Sequence, residues 1–182
     1  MRAWVAASVA VAALAIPSSV HSESSNIELP AGYRNWELVS VTALGPPFSD
    51  VRAKLGNPIA MQDFRRGTIP YRDGAIIVRL AWKQIMDPAT NAGMRLEGQQ
   101  MGLSAAAIAK LLAGSVEAGP PTNVQLMIKD SKRYASTGGW GFAQFTNGKR
   151  DVVITAPNNP RSCFVCHEPA KATDFVFTRY AP

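Results

Sequence analysis

Cys163 and Cys166 are the only two cysteines of this sequence, and His167 follows the second directly. Two thiols separated by two residues, with an imidazole beside the second, form the attachment signature of c-type haem. On one turn of chain the thiols reach the two vinyl groups of one porphyrin, and the adjacent imidazole is aimed at its iron. Two other chemistries use Cys-x-x-Cys. A redox-active disulfide ordinarily accompanies a βαβ unit, which the sequence does not offer. A structural zinc needs about four ligands, and past the N-terminal leader the chain has no further Cys or His. The motif therefore predicts one covalently attached haem c, with Cys163 and Cys166 binding the cofactor and His167 as the metal ligand.

The other axial position of the iron decides the function. A second histidine is excluded, because His21 is lost with the leader. A methionine would make an electron-transfer centre, but none of the 15 residues after His167 is Met. Met61, Met86, Met94, Met101 and Met127 all lie upstream and read as core or loop filler. The expectation is a five-coordinate iron with one open face, which binds diatomic gases or small substrates.

The N-terminus supports this chemistry, since c-type haem is attached outside the cytoplasm. Arg2 stands alone before an acid-free apolar run, residues 3–16, and Val20-His21-Ser22 fits a cleavage site. This is the layout of a secretory signal peptide, and the run is shorter than the roughly 20 residues a membrane span needs. Residues 1–22 are expected to be the signal peptide and residues 23–182 one exported, periplasmic haem domain with no membrane segment. Removing 22 of the 182 residues leaves 160, and losing Arg2 takes the formal charge from +6 to +5. Hydrophobic residues at 47% exclude a disordered chain. The basic residues are scattered, without the concentrated stripe of a nucleic-acid binder. A mildly basic surface leaves room for an acidic redox partner protein.

The elements that must position the motif read as α+β, a mainly antiparallel sheet with a few short helices. Residues 35–42, 75–83, 122–129, 140–145 and 174–180 read as strands. Ser49 is read as the cap of a short helix running to Leu55, residues 59–66 as a second helix, and Ser104 as the cap of a third with Ile108, Leu111, Leu112 and Val116 on one stripe. Pro120-Pro121 is expected to end that region. Along residues 75–83, Ile76, Val78, Leu80 and Trp82 form a core face. Ala75, Ile77, Arg79, Ala81 and Lys83 lie on the other face, where one arginine among small and apolar neighbours suits a haem wall and a propionate or bound ligand.

Five segments together resemble the cytochrome P-460 and cytochrome c′-beta family of exported, β-rich haem proteins. They are Tyr33-Arg34-Asn35-Trp36-Glu37-Leu38, Asp73-Gly74-Ala75-Ile76-Ile77-Val78-Arg79, Lys129-Asp130-Ser131-Lys132-Arg133-Tyr134, Cys163 to His167, and Asp174-Phe175-Val176-Phe177-Thr178-Arg179-Tyr180. The resemblance implies a homodimer with haem on a β-sheet scaffold. The P-460 branch oxidises hydroxylamine and carries a lysine cross-linked to the porphyrin. That position matches Arg79, a poor nucleophile that stays protonated. Lys83 is four residues further along the strand, roughly 13 Å away. The P-460 branch also uses a carboxylate just before the haem motif, and residues 156–162 contain none. Both departures favour the c′-beta branch, whose members bind nitric oxide and carbon monoxide, over an enzyme. That branch caps its distal iron with aromatic residues. Phe48 is the first candidate here and Phe64 the second. A further cap position falls near Ile77, which is not aromatic.

Overall fold

The computed structural model describes residues 27–152 and 162–182. The expected signal peptide and most of the carboxylate-free loop, residues 156–161, lie outside them. Six strands form one antiparallel sheet in chain order: β1 (Glu37–Leu44), β2 (Asp50–Gly56), β3 (Ile76–Ile85), β4 (Glu117–Lys129), β5 (Trp140–Thr146) and β6 (Lys149–Val152). Among the described residues four α-helices accompany it: α1 (Pro58–Arg66), α2 (Pro88–Gln100), α3 (Ala105–Ala113) and α4 (Cys163–His167). The chain thus adopts the expected α+β fold dominated by an antiparallel sheet.

The alternation of β3 sends side chains to both faces, and both are covered. Val78 and Leu80 join Leu55, Leu126, Ala143 and Phe145 in one buried cluster, with Ile76 and Trp82 packed against it. Ile77 joins Trp140, Phe142, Phe164, Phe175 and Val176 in a second cluster on the opposite face. Period-two alternation on a sheet buried on both sides produces this division.

Asn57 anchors the crossover that supports the second cluster. Its side chain caps α1 by accepting from the Ala60 N–H at 2.9 Å. The same oxygen accepts from Ile76 N–H at 3.0 Å, and its amide donates to the Gly74 carbonyl at 2.8 Å. One side chain thereby starts α1 and fixes where β3 enters the sheet. Gly67, at φ +63°, ends the helix in the left-handed conformation that suits glycine.

Several expectations are corrected. Residues 50–56 form strand β2 and not a helix capped by Ser49. Ser49 itself is left-handed, at φ +47°, and Val51, Ala53 and Leu55 alternate with Asp50, Arg52 and Lys54 in a strand period. Pro120-Pro121 does not end a region but lies within β4, where the register against β3 slips on either side of Trp82. Proline has no N–H for the ladder, which accounts for the irregularity. Helix α3 is capped by Ser104 as expected, but it stops before Val116. Its stripe buries only Ile108 and Leu112, while Leu111 and Val116 are exposed. Helix α2 and strand β6 were not anticipated. Asp87 caps α2 by accepting from the Thr90 N–H at 2.8 Å, with Pro88 in the first turn. Strand β6 follows a tight Asn147-Gly148 turn in which both residues have positive φ. Among the described residues no helix is long and apolar enough to cross a membrane.

Candidate functional site

Helix α4 is short, and its spacing does the positioning. Ser162, fully buried, caps it by accepting from the Phe164 N–H at 3.0 Å. Cys163, Cys166 and His167 stand at i, i+3 and i+4, which is one face of a helix. Phe164 turns inward and packs on Phe175, with 5.4 Å between ring centroids. Both thiols are free; Cys163 is half-buried and Cys166 exposed. Burial pushes the Cys163 thiol above its ordinary value.

His167 is held from behind. Its Nδ1 lies 2.7 Å from the Phe175 carbonyl oxygen. A carbonyl only accepts, so Nδ1 carries the proton and the Nε2 lone pair is left for a Lewis acid. Phe142 and Phe177 flank the ring, at centroid distances of 5.0 and 4.8 Å. Burial pulls the imidazole below its ordinary value; the Phe175 bond opposes that, and the Arg79 charge adds to it.

The Phe175 carbonyl is aimed by a sharp reversal. Asp174 and Phe175 take left-handed φ values of +50° and +64°. The Asp174 carboxylate accepts from Lys129 Nζ with both oxygens at 2.8 Å and from the Tyr71 N–H at 2.8 Å. Lys129 also donates to the Gly138 carbonyl at 2.9 Å and lies over the Trp140 ring. Gly138 has no room for a side chain: a Cβ there would sit 2.1 Å from the Phe175 ring. Residues 174–180 are therefore not the expected strand, because these partners impose a turn that no ladder admits.

The motif faces a cleft of about 410 Å³, lined by Ile77, Met127 and Phe142 among others. Strand register explains its graded wall. Ile77, Met127 and Phe142 are cross-strand neighbours and make an apolar row. Lys54, Arg79 and Gln125 line the cleft in the next, polar row, which Gln144 continues outside it. Arg52 follows, opposite Ala81. Arg79 Nη2 donates to Asn123 Oδ1 at 2.7 Å, whereas its buried Nε has no partner among the described residues. Burial, and then the neighbouring Arg52 charge, pull the Arg79 guanidinium down to about 10, still well above neutrality.

The structure brings Cys163, Cys166, His167, Ile77, Arg79 and Phe48 to this one cleft. Phe48 stands at its rim, 63% exposed, with the Arg52 guanidinium 4.9 Å from its ring centroid. Phe64 is not at the site; it packs edge-on against Tyr71 in the core. Ala81 is buried but does not line the cleft, since Arg52 and Asn123 flank it in the register. Lys83 is exposed and outside the cleft. Of Met61, Met86, Met94, Met101 and Met127, only Met127 lines the cleft. Lys54, Arg52, Phe142 and Phe177 were missed. The strand period of residues 50–56 was the available signal for Arg52 and Lys54.

These residues fit a porphyrin. The cleft volume falls in the range of roughly 300–1,000 Å³ typical of cofactor sites. An apolar row suits the macrocycle, two free thiols and an unprotonated imidazole nitrogen face it, and a buried arginine atom waits for an acceptor. No curated protein matches the chain significantly. A model of the cytochrome P460 family matches residues 30–178. Spanning both the sheet and the motif that faces the cleft, that match establishes that the chain belongs to the cytochrome P460 family and is a haem-binding cytochrome.

Proposed function

We propose that this protein is an exported, periplasmic c-type cytochrome with one covalently attached haem, whose open side takes nitric oxide or a similar small gas. Cys163 and Cys166 would hold the porphyrin through thioethers, and His167 would supply a nitrogen ligand to its iron. The observation that carries this reading is the convergence of the three motif side chains on one cleft with an apolar wall. When bound, the haem would supply an iron able to take a small neutral ligand. The chain's own residues do the rest. Phe175 fixes the His167 tautomer and ring orientation. Ile77 and Phe142 exclude water, so a neutral diatomic loses little hydration on entry, and Phe48 stands at the rim. Arg79 at the family's cross-linking position supports ligand binding over hydroxylamine oxidation. The homodimer belongs to the same reading and is checked by the solution mass.

The test is chemical. Replacing Cys163 and Cys166 by Ala should abolish haem that resists acid–acetone extraction, and the wild-type ferrous spectrum should be five-coordinate and shift with carbon monoxide. Haem that remains bound through extraction in the double variant would sink the covalent assignment.

One observation favours a second reading. Met127 lines the cleft, and a methionine on the iron would make an electron-transfer centre serving a redox partner protein. A low-spin ferrous spectrum before gas is added, converted to high spin by Met127→Leu, would establish that reading instead.

A further inference from the structure

The cleft wall carries more positive charge than its own residues neutralise. Lys54 lies directly opposite Arg79 across the β2/β3 ladder, and Arg52 is two residues along the same face. Like charges directly opposite in a sheet destabilise it, and partial burial strengthens the penalty. Arg52 has a carboxylate, Asp50, at 2.8 Å. Lys54 donates to the neutral hydroxyl of Thr42, and Arg79 to the neutral amide of Asn123. Three cations thus face the cleft with one bound carboxylate, and Arg79 Nε is buried without an acceptor among the described residues.

We propose that Arg79, with Lys54 and Arg52 beside it, is a seat for a small planar O–X–O anion. Arg79 Nε–H and a neighbouring Nη–H present the parallel fork that pairs with such an anion through two bonds. Lys54 supplies a point charge from the facing strand. Burial and then the Arg52 charge lower both Lys54 and Arg79, and an anion seated among the three would relieve this. Two sources share this chemistry: a carboxylate of the porphyrin itself, or a free anion such as nitrite held beside the gas site. The porphyrin arm rests on the proposed function, and the free-anion arm needs only the cleft.

The test uses the purified ferric holoprotein, its iron blocked with cyanide for the binding titrations, with Arg79→Gln, Arg79→Lys and Lys54→Gln. Sodium nitrite is titrated by calorimetry at constant ionic strength, and each midpoint potential is measured against pH. A free anion predicts saturable nitrite binding, weakened at least tenfold in Arg79→Gln and only partly restored in Arg79→Lys. A porphyrin carboxylate predicts no nitrite heat. Instead Arg79→Gln lowers the midpoint potential and moves its pH-dependent step upward, because the carboxylate loses its cation. Nitrite binding that persists unchanged in Arg79→Gln and Lys54→Gln overturns the seat, as does the absence of both a heat and a potential shift. Failure of the haem reading would show separately, as protein without a Soret band.

Discussion

Lys129 and Arg79 project from the same face of the sheet, and their surroundings could hardly differ more. Lys129 is 5% exposed and has a carboxylate, a carbonyl and an aromatic ring as partners. Arg79 is half-buried and, among the described residues, has one neutral hydrogen-bond partner and an unmatched Nε. A buried cation with every donor engaged is part of the scaffold. One left short beside a cleft, with another cation across the strand pair, is arranged for something that arrives from outside.

The largest effect should come from the scaffold side. Lys129→Met leaves Asp174 charged and buried without its partner, which should cost about 3–5 kcal/mol in urea denaturation. Removing both charges, as Lys129→Met with Asp174→Leu, should restore part of that loss, because no orphan charge remains. If the single change costs less than about 1 kcal/mol, the contrast with Arg79 disappears.

Gly138→Ala comes next. It strains a residue at φ +67° and drives a methyl into the Phe175 ring, for about 1–3 kcal/mol by overpacking. On the proposed ligation by His167, it should also shift the iron–histidine stretch in the ferrous Raman spectrum. An unmoved stretch would mean that the Phe175 carbonyl does not control the imidazole.

Arg79→Gln should change stability by less than about 1 kcal/mol, since a lost neutral hydrogen bond is offset by relief of repulsion with Lys54. A loss as large as that of Lys129→Met would make Arg79 a scaffold cation after all.

Phe48→Ala is the mildest. Its ring is mostly exposed, so stability should hold within about 0.5 kcal/mol. Stopped-flow carbon monoxide association should quicken if the ring hinders entry; an unchanged rate removes Phe48 from the path.

The Cys-x-x-Cys-His motif and the face of β3 that carries Ile77 and Arg79 were legible because both depend on short periods. A helix repeats at three and four residues and a strand at two, so Cys163, Cys166 and His167 share a face, as do Ile77 and Arg79. Residues 50–56 were legible in the same way, but Ser49 and Gly56-Asn57-Pro58 resemble helix boundaries, and that local signal misled. The left-handed turn at Asp174 and Phe175 had no local signal. Aspartate and phenylalanine adopt it because Lys129 and the Tyr71 N–H hold the carboxylate.

Residue types and local spacing specify the donor set: two thiols, one imidazole, and an alternating strand with an arginine on the cleft side. Tertiary structure alone decided what stands around them. The Lys129–Asp174 bond spans 45 positions of chain, and Lys54 meets Arg79 only through the β2/β3 register. Such pairs depend on how strands align and on which polar groups are left for one another once water is removed, and no local period encodes that.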